Sequence, residues 1–599
     1  MGRWLPWGVT SLSICHGGVH PVTLLTGWLQ SVRPHRGVYF ADDSAGWSFY
    51  SYGEIARRVV GIATRLRDAG VRHNDVVCLM LPTGPEFVSA LFGVWSAGAA
   101  ACPMAPPGVF AAPGRFLEHA QELLATAKPR AVVTSRAFTE LVRTAMDRAD
   151  IHAHLMAAEE AEGYEASPAG MAAPAQGLPA EDAQARTALL QFTSGSTGSP
   201  RGVRISTANL VSNVSLIRQW LGWGPDDVAA SWLPLHHDMG LIGCLITPVV
   251  TQTDLWLMRP DQFLRDPARW LARFGHGQAT LTATPSFGLA YAARRTEPAD
   301  LAGMDFSRWR SAIVAAEPID VRALRGFADL LAPQGFRLET FRPAYGLAEA
   351  TLAVTGSERI RAPRLVRPNW ETMRFGEPVK IEEESPLDNV TLGDRPTGWL
   401  VGCGSALTDT RVTVHGADGA NLPEGTLGEV VVRGPGVAGG YQSGDPVGST
   451  RIAEDRLVSG DAGFLLDGEL FVAGRIADGL KIRGRSVYVE DLEVRAVSAG
   501  GISKGRCAVV SSPGPGQGEI VVLIEAQPGP WAERIARALR AELGTGPKIR
   551  VVGGGPGLIR RGTSGKPRRR HMWEEFQSGR LGGQLLLEEP ADTTGNHHR

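Results

Sequence analysis

The sequence predicts an α/β protein with a large N-terminal domain of parallel sheets, a small β-subdomain and a small α+β C-terminal domain. At 599 residues the chain is too long for one hydrophobic core, since domains average roughly 100 to 200 residues. Between residues 51 and 335, amphipathic stretches alternate with short apolar runs, which is typical of a parallel sheet covered by helices. After residue 401 short strands with turn signals indicate the β-subdomain, and a mixed pattern from about residue 478 indicates the C-terminal domain.

The elements of the large domain follow from apolar periodicity and from glycine and proline positions. Gly70 closes an amphipathic helix that begins at Glu54. The uncharged segment 87–114 is not a membrane span, because glycines and prolines interrupt it, and we expect a buried helix followed by a buried strand. The segment 157–182 has no clear period and is expected to be a surface excursion. The other expected elements are helices at 115–128 and 206–220, and strands at 76–81, 131–134, 187–192, 228–232, 255–258, 279–283 and 311–315.

The second half of the chain is predicted from turn signals. The pair Asp467-Gly468 lies between two apolar runs and indicates a tight hairpin. Further strands are expected at 411–414, 428–432 and 519–525, and a helix at 531–543. The polar, glycine-containing tail 579–599 is predicted to be disordered.

Composition excludes several classes of function. Sixty-one basic against 62 acidic residues give a net charge of -1, which indicates neither a nucleic-acid partner nor stable membrane insertion. The six cysteines form no CxxC pair or cysteine–histidine cluster, so we expect no disulfide framework and no zinc site. The N-terminus lacks a recognisable targeting signal, and a cytoplasmic location is therefore expected.

A run of small hydroxyl residues and glycines follows the strand predicted at 187–192. Its backbone N–H groups and hydroxyls can converge on one anion, and we expect it to hold a triphosphate. It is not a Walker P-loop, because no Gly-Lys-Ser/Thr follows. A flexible linker is the alternative, but a linker would not join a buried strand to an amphipathic stretch. The residues of this loop are Thr193, Ser194, Gly195, Ser196, Thr197, Gly198 and, after Pro200, Arg201.

This loop resembles the phosphate-binding motif of the adenylate-forming superfamily, and five further motifs of that family follow in its order. They are LPLHHDMG at 233–240, AAEPI at 315–319, AYGLAEA at 344–350, SGDAG at 459–463 with Gly474-Arg475, and GTSGK at 562–566. Each motif alone has an ordinary structural explanation, such as a turn aspartate or a solvated basic patch. Six motifs in the family's order over residues 40–575 leave little room for chance.

The resemblance implies a role for each motif. His237 is expected beside the reacting carboxylate, Lys566 at the acyl-phosphate oxygens, and Glu349 at magnesium (Mg2+), with Thr193 as a second metal contact. Tyr345 is expected to pack on adenine. Asp461 and Arg475 are expected to bind the ribose hydroxyls. The remaining implied nucleotide-binding residues are the loop residues above together with Ala316, Glu317, Pro318 and Gly346.

The chemistry explains these residue types. A carboxylate must attack the α-phosphate of ATP, and pyrophosphate leaves with more negative charge, so positive groups and N–H donors must surround the centre. Because the nucleophile is already ionised, no general base is needed, and Lys566 is assigned an electrostatic role. ATP and magnesium are the implied cofactors.

Within the superfamily the sequence is most similar to fatty acyl-AMP ligases. The resemblance rests on HDMGLI at 237–242, EPI at 317–319 and YGLAEATL at 345–352, and on a long interval at 352–400 that resembles their insertion. The alternative for that interval is a surface loop of no consequence. The implied domains are a multi-layered adenylation domain at 20–474, with the β-subdomain at 401–474, and a mobile C-terminal lid at 475–578.

A fatty acid and a separate holo acyl carrier protein are the implied partners, and a monomer or weak homodimer is expected. Met239, Leu241, Ile242, Phe287 and Leu289 are candidates for lining the acyl site, although core packing explains them equally well. The alternatives are an acyl-CoA synthetase and a non-catalytic nucleotide-binding relative. Departures from the family pattern favour the latter: Arg201 replaces a lysine, Ala477 replaces a charged hinge residue, and the region after residue 493 is short.

Overall fold

The structure is a computed structural model. It describes residues 25–109, 113–161, 185–194, 200–358, 361–390, 398–444, 450–453, 456–476, 479–482, 485–511, 519–543, 547–562 and 567–590. Its α-helices are α1 (Tyr52–Asp68), α2 (Pro85–Ala97), α3 (Pro113–Ala127), α4 (Thr139–Arg148), α5 (Thr207–Leu221), α6 (Thr247–Thr251), α7 (Pro260–Arg265), α8 (Pro267–Gly275), α9 (Ser286–Arg295), α10 (Val321–Leu331), α11 (Val489–Gly500), α12 (Trp531–Leu543) and α13 (Arg569–Gln577).

The strands before residue 360 belong to the large domain. They are β1 (Gly37–Ala41), β2 (Trp47–Ser51), β3 (Val76–Met80), β4 (Ala100–Pro103), β5 (Ala131–Thr134), β6 (His154–Ala157), β7 (Thr187–Ser194), β8 (Pro200–Ser206), β9 (Ala229–Ser231), β10 (Leu255–Leu257), β11 (Leu281–Thr284), β12 (Ser311–Val314), β13 (Phe341–Gly346) and β14 (Ala353–Gly356).

The strands after residue 360 form the β-subdomain and the C-terminal domain. They are β15 (Arg364–Pro368), β16 (Ile381–Pro386), β17 (Leu400–Ala406), β18 (Arg411–His415), β19 (Gly428–Arg433), β20 (Arg451–Ala453), β21 (Arg456–Leu466), β22 (Glu469–Arg475), β23 (Gly479–Ile482), β24 (Arg485–Tyr488), β25 (Cys507–Ser511), β26 (Glu519–Ile524), β27 (Lys548–Gly553) and β28 (Gln584–Glu589).

The largest sheet has a parallel centre and an antiparallel extension. Strands β13, β12, β11, β9, β10 and β1 pair in that order and all run parallel, so their carboxyl ends lie at one edge. Beyond β13 the sheet continues through β14, β17, β22, β21, β19 and β18, which are antiparallel to one another. Ligands of α/β proteins bind outside the carboxyl ends of parallel strands, which points to that edge.

The second sheet has the order β6-β5-β3-β4-β7-β8 and is parallel except for its last pair. Helix α1 begins with a capping box in which Ser51 and Glu54 satisfy each other's backbone N–H groups. Helix α5 begins with the same arrangement at Ser206 and Asn209, and it ends at Gly222, whose φ of 54° requires a residue tolerant of the left-handed region.

The β15–β16 hairpin lies in the interval expected to be an insertion. It pairs with β17, and Met373, which is 1% exposed, packs with Leu427, Phe464 and Phe471 of the β-subdomain. This part of the interval is therefore built into the core, and it is not a loose surface loop.

The C-terminal domain contains the four-stranded sheet β25-β26-β27-β28 and helices α11 to α13. Strand β28 lies in the tail predicted to be disordered, and for residues 584–589 that prediction is wrong. The reason is that Leu585 and Leu587 pair with β27 in antiparallel register, which adds an edge strand to the sheet. Within the described residues, no helix is long and apolar enough to cross a membrane.

The predicted fold class is confirmed. The helices expected at 54–70, 115–128, 206–220 and 531–543 are α1, α3, α5 and α12, and the hairpin at Asp467-Gly468 joins β21 to β22. Asp467 and Gly468 both have positive φ, as a tight hairpin turn of this kind requires. Most of the predicted surface excursion at 157–182 lies outside the described residues.

Candidate active site

Strands β7 and β8, which form the phosphate hairpin, flank the predicted phosphate loop. Strands β7 and β8 are antiparallel, with Thr193 opposite Arg201 and Ser194 opposite Pro200. The loop residues Gly195, Ser196, Thr197 and Gly198 lie outside the described residues. The Thr193 hydroxyl is buried and has no hydrogen-bond partner among the described residues. A buried hydroxyl without a partner is costly, so it is available to a ligand oxygen.

Arg201, Tyr441 and Glu349 form a buried cluster beside this hairpin. Their exposed fractions are 6%, 5% and 6%. The Tyr441 hydroxyl donates to Glu349 Oε1 at 3.0 Å, and the Arg201 guanidinium carbon lies 5.8 Å from the centre of the Tyr441 ring. Burial raises the pKa of Tyr441 well above its usual value, and the nearby Glu349 charge raises it further, so the phenol remains a donor.

A tight turn presents Glu349. Thr351 has φ 69° and ψ -61°, and the N–H of Leu352 donates to the Ala350 carbonyl at 2.9 Å, which closes a strained three-residue turn. The Thr351 hydroxyl donates to the Gly436 carbonyl at 2.6 Å. Any side chain at Gly346 would lie 1.9 Å from the Leu352 carbonyl oxygen, so this position requires glycine. Strain of this kind is common where a functional side chain must be aimed.

Two asparagines of α5 anchor the loops around Glu349. Asn213 is 1% exposed; its amide donates to the carbonyls of Ala350 and Ala353 and accepts from the Ala353 N–H. One turn earlier, Asn209 donates to the carbonyls of Pro435 and Val437. Because α5 follows β8 directly, these contacts tie the phosphate hairpin to the Glu349 turn.

Tyr345, Asp461 and Arg475 form a second cluster. The Tyr345 hydroxyl donates to Asp461 Oδ2 at 2.6 Å, and Arg475 Nε lies 2.9 Å from Asp461 Oδ1. Arg475 also donates to the Thr450 hydroxyl and the Ser459 carbonyl. Burial, followed by the Asp461 charge, raises the pKa of Tyr345 well above its usual value. Asp461 is 6% exposed, so this carboxylate is held by partners on both oxygens.

The two clusters are close enough to interact electrostatically. Burial raises the pKa of Glu349, the positive charge of Arg475 opposes that shift, and the negative charge of Asp238 adds to it. The charges of Arg475 and Asp238 therefore both act on Glu349.

His237 lies at the start of a π-helix that spans Met239–Ile246. Its Nδ1 is 2.7 Å from Asp238 Oδ1, and that oxygen also accepts from the Met239 N–H. The Gln191 amide of β7 donates to the His236 carbonyl, which joins this segment to the strand that leads into the phosphate loop. Short π-helices are rare and often occur at functional sites.

The segment expected to line the adenine pocket follows β12. Ala316 has φ 73°, an uncommon conformation for alanine. Glu317 accepts from the Ser286 hydroxyl at 2.9 Å and from the Phe287 N–H at 2.7 Å, so it caps helix α9. The Pro318 carbonyl accepts a long bond from the same hydroxyl. Glu317 therefore positions α9, a role that the sequence did not predict.

Lys566 lies outside the described residues, as does Ala477. The residues that flank Lys566 are paired, because Arg561 and Pro567 form an antiparallel bridge. Burial lowers the pKa of His119 and the charge of Arg568 lowers it further, whereas burial raises the pKa of Glu122 and the charge of Arg568 opposes that rise. The charge of Arg568 therefore acts on two residues of α3 in the large domain.

Of the apolar side chains considered for the acyl site, Met239, Leu241, Ile242 and Leu289 are at most 5% exposed and belong to the two main core clusters. Phe287 is 42% exposed and packs edge-on against Trp232.

Comparison with known proteins agrees with this arrangement. The sequence profile described as AMP-binding enzyme matches residues 30–442. The chain belongs to the AMP-binding enzyme family. A relative from Caulobacter vibrioides, named as a candidate acyl-CoA synthetase, is 32% identical over 512 residues, 84% of this chain and 86% of that protein. A 4-hydroxyphenylalkanoate adenylyltransferase of Mycobacterium tuberculosis is 30% identical over 590 residues, 91% of each chain.

A solved structure from a study of fatty acyl-adenylate ligases of E. coli and L. pneumophila is similar over nearly the whole chain. It has a TM-score of 0.79 and 29% identity, and the match covers 94% of this chain and 98% of the other. The resemblance of this AMP-binding enzyme to fatty acyl-AMP ligases is thereby confirmed, and the chain is a ligase.

Sequence motifs missed several residues that shape the site of this AMP-binding enzyme. The hydrogen bonds of Tyr441, Asn213 and Thr450 were not predicted, because each joins two residues that are far apart in sequence and no motif contains both of them. The pair Asp238–His237 could have been found, since Asp238 follows the histidine within its motif.

Proposed function

We propose that this AMP-binding enzyme activates a fatty acid with ATP to form an acyl-adenylate and then passes the acyl group to a carrier-protein thiol. The observation that supports this most strongly is the convergence of Glu349, Asp461 and Arg475 in a chain that matches a fatty acyl-adenylate ligase over 94% of its length. Asp461 and Arg475 offer hydrogen-bond partners for the ribose hydroxyls, and Glu349 offers a carboxylate for the metal ion that accompanies the phosphates.

In the first half-reaction a carboxylate oxygen attacks the α-phosphorus of ATP. The new acyl–phosphate bond forms as the bond between the α- and β-phosphates breaks, and pyrophosphate leaves. We assign Asp461 and Arg475 to the ribose hydroxyls, and the Tyr345 hydroxyl holds the Asp461 carboxylate. We assign Arg201 and Lys566 the role of stabilising the negative charge that develops on the phosphates.

The donors near the phosphate hairpin suit magnesium. Glu349 offers a buried carboxylate and Thr193 a buried hydroxyl with no partner among the described residues, and both are hard oxygen donors. Magnesium is usually bound by one or two carboxylates together with substrate phosphates, so this small donor set is sufficient. When bound, the ion neutralises phosphate charge. Glu349 would hold it, and the turn at Thr351 would aim the Glu349 carboxylate.

In the second half-reaction the phosphopantetheine thiol of an acyl carrier protein attacks the acyl carbonyl and AMP leaves. Support for a carrier protein over CoA comes from the β15–β16 hairpin, which lies in the interval that resembles the insertion of fatty acyl-AMP ligases. The acyl-CoA synthetase relative keeps CoA as the alternative acceptor.

The test is pyrophosphate release from ATP and magnesium with saturated fatty acids of increasing chain length, followed by transfer to holo carrier protein or CoA in parallel. We expect acid-dependent pyrophosphate release and loading of the carrier. Release with rapid acyl-CoA formation and no carrier loading would assign the chain to the CoA synthetases. No release with any acid would support a non-catalytic nucleotide-binding relative.

A second substrate class is 4-hydroxyphenylalkanoates, because a relative that matches 91% of this chain is named for adenylating them. The same assay with 4-hydroxyphenyl acids of matched chain length separates the two classes. A higher kcat/KM for these acids than for the fatty acids would favour the aromatic class.

A further inference from the structure

The segment 439–442 runs beside β8 as a short additional strand. Val203 and Tyr441 form an antiparallel bridge, the N–H of Arg204 donates to the Gly440 carbonyl at 2.9 Å, and the N–H of Gln442 donates to the Gly202 carbonyl at 2.8 Å. Tyr441 is thus fixed by its backbone to the strand that leaves the phosphate loop.

The Tyr441 side chain reaches from that strand to the Glu349 turn. Its hydroxyl donates to Glu349 Oε1 at 3.0 Å, while its ring lies under the Arg201 guanidinium at 5.8 Å. On the other side, the Ala438 N–H donates to the Glu349 carbonyl at 2.9 Å. One tyrosine therefore contacts both the arginine of the phosphate hairpin and the candidate metal-binding carboxylate, and all three side chains are at most 6% exposed.

We propose that Tyr441 is a positioning residue for adenylation, which couples Arg201 of the phosphate hairpin to Glu349 so that both are aimed at the ATP phosphates as one unit. The proposal rests on the proposed function, since it concerns the same site. A carboxylate buried beside an arginine can form an ion pair with it directly. Neither charge would then be available to the substrate. The phenol prevents this, because its hydroxyl donates to one Glu349 oxygen and accepts from Arg201, whose guanidinium also lies over the ring.

Two variants separate the hydroxyl of the side chain from its ring. Tyr441→Phe keeps the ring beside Arg201 and removes the hydroxyl that bonds Glu349 and Arg201, whereas Tyr441→Leu removes the ring as well. Tyr291→Phe is the matched control, because it removes a tyrosine hydroxyl that donates to the Leu264 carbonyl away from the site. Thermal unfolding of all variants shows whether the fold is kept.

The first readout is ATP binding by calorimetry with and without magnesium. We expect Tyr441→Phe to lose roughly tenfold or more of the affinity gain that magnesium supplies, since a hydrogen bond to the charged Glu349 is lost. Tyr441→Leu should weaken metal-free ATP more than Tyr441→Phe does, because Arg201 then loses the ring in addition to the hydroxyl. The control should match the wild type.

The second readout is a double-mutant cycle with Glu349→Gln in pyrophosphate release. If Tyr441 acts through Glu349, Tyr441→Phe has little further effect in the Glu349→Gln background. Additive effects, or an unchanged magnesium dependence in Tyr441→Phe, would overturn the proposal. If the wild type forms no acyl-adenylate, the proposed function fails instead, and the binding experiment still decides the role of Tyr441.

Discussion

Asp461 and Arg475 face each other across the β21–β22 hairpin, with Arg475 Nε 2.9 Å from Asp461 Oδ1. The tight turn at Asp467-Gly468 sets the register as far as Gly463 and Val472, and a register shift between Ala462 and Gly463 then brings Asp461 opposite Arg475. The Tyr345 hydroxyl then ties the pair to the end of β13, which joins the β-subdomain to the parallel centre of the sheet.

Asp461→Asn should weaken ATP binding by about tenfold or more, because it removes a charge that Arg475 and Tyr345 both hold and that the ribose hydroxyls require. The measurement compares the KM for ATP with that for 2′,3′-dideoxy-ATP. The wild type should strongly prefer ATP, and the variant should show little preference. A variant that still discriminates as the wild type does would contradict the assignment of Asp461 to the ribose.

The Asp461 cluster also shows what the sequence could and could not predict. The motif at 459–463 and the hairpin turn could both be predicted from the sequence, because each depends on neighbouring residues. The hydrogen bond from Tyr345 joins residues 116 positions apart, and no local pattern encodes it. Tyr345 was expected to pack on adenine, and its hydroxyl contact with Asp461 is an additional feature.

Local patterns failed where a strand was short or polar. Strand β8 (Pro200–Ser206) was not predicted, although Val203 and Ile205 alternate with polar residues, because the glycines before it indicate a loop. Strand β28 was not predicted because the tail is mostly polar. As an edge strand that is largely exposed, β28 needs few apolar residues, so its sequence carries little strand signal. In contrast, α12 begins and ends where the sequence predicts, since its apolar period is regular over the whole helix.

Lys566→Ala should abolish most acyl-adenylate formation while ATP still binds, because the lysine is assigned to charge that develops only as the reaction proceeds. The measurement is pyrophosphate release at saturating ATP, together with ATP affinity by calorimetry. Arg570→Ala is the matched control in the same basic segment, since Arg570 is exposed and pairs with Glu574 one helical turn away. Equal activity of the two variants would remove Lys566 from the mechanism.

We expect the free energy of unfolding to decrease in mild acid because of His119. Burial, and then the charge of Arg568, lowers the pKa of His119 to about 4 from 6.5. Between these values the unfolded chain binds a proton that the folded chain does not. The free energy of unfolding is therefore unaffected by His119 above pH 6.5 and falls as the pH drops towards 4. The expected loss between pH 7 and pH 5 is up to about 2 kcal/mol.

Chemical denaturation at pH 7 and pH 5 measures this loss. His119→Gln should show a smaller loss than the wild type, since glutamine does not titrate. Arg568→Gln should also reduce it, because the pKa of His119 rises when the neighbouring positive charge is removed. An unchanged pH dependence in Arg568→Gln would argue against contact between this part of the C-terminal domain and α3.

Met373→Ala should destabilise the large domain by about 2 to 5 kcal/mol, the range found when a large buried side chain is truncated. Met373 is 1% exposed and fills the space between the 352–400 interval and Leu427, Phe464 and Phe471. Denaturant unfolding of the variant is the measurement, and Glu371→Ala is its control, because Glu371 is exposed and lies two residues away. A loss no larger than that of the control would mean that the interval is attached loosely. It could then be shortened without affecting the β21–β22 hairpin, and with it the Asp461–Arg475 pair.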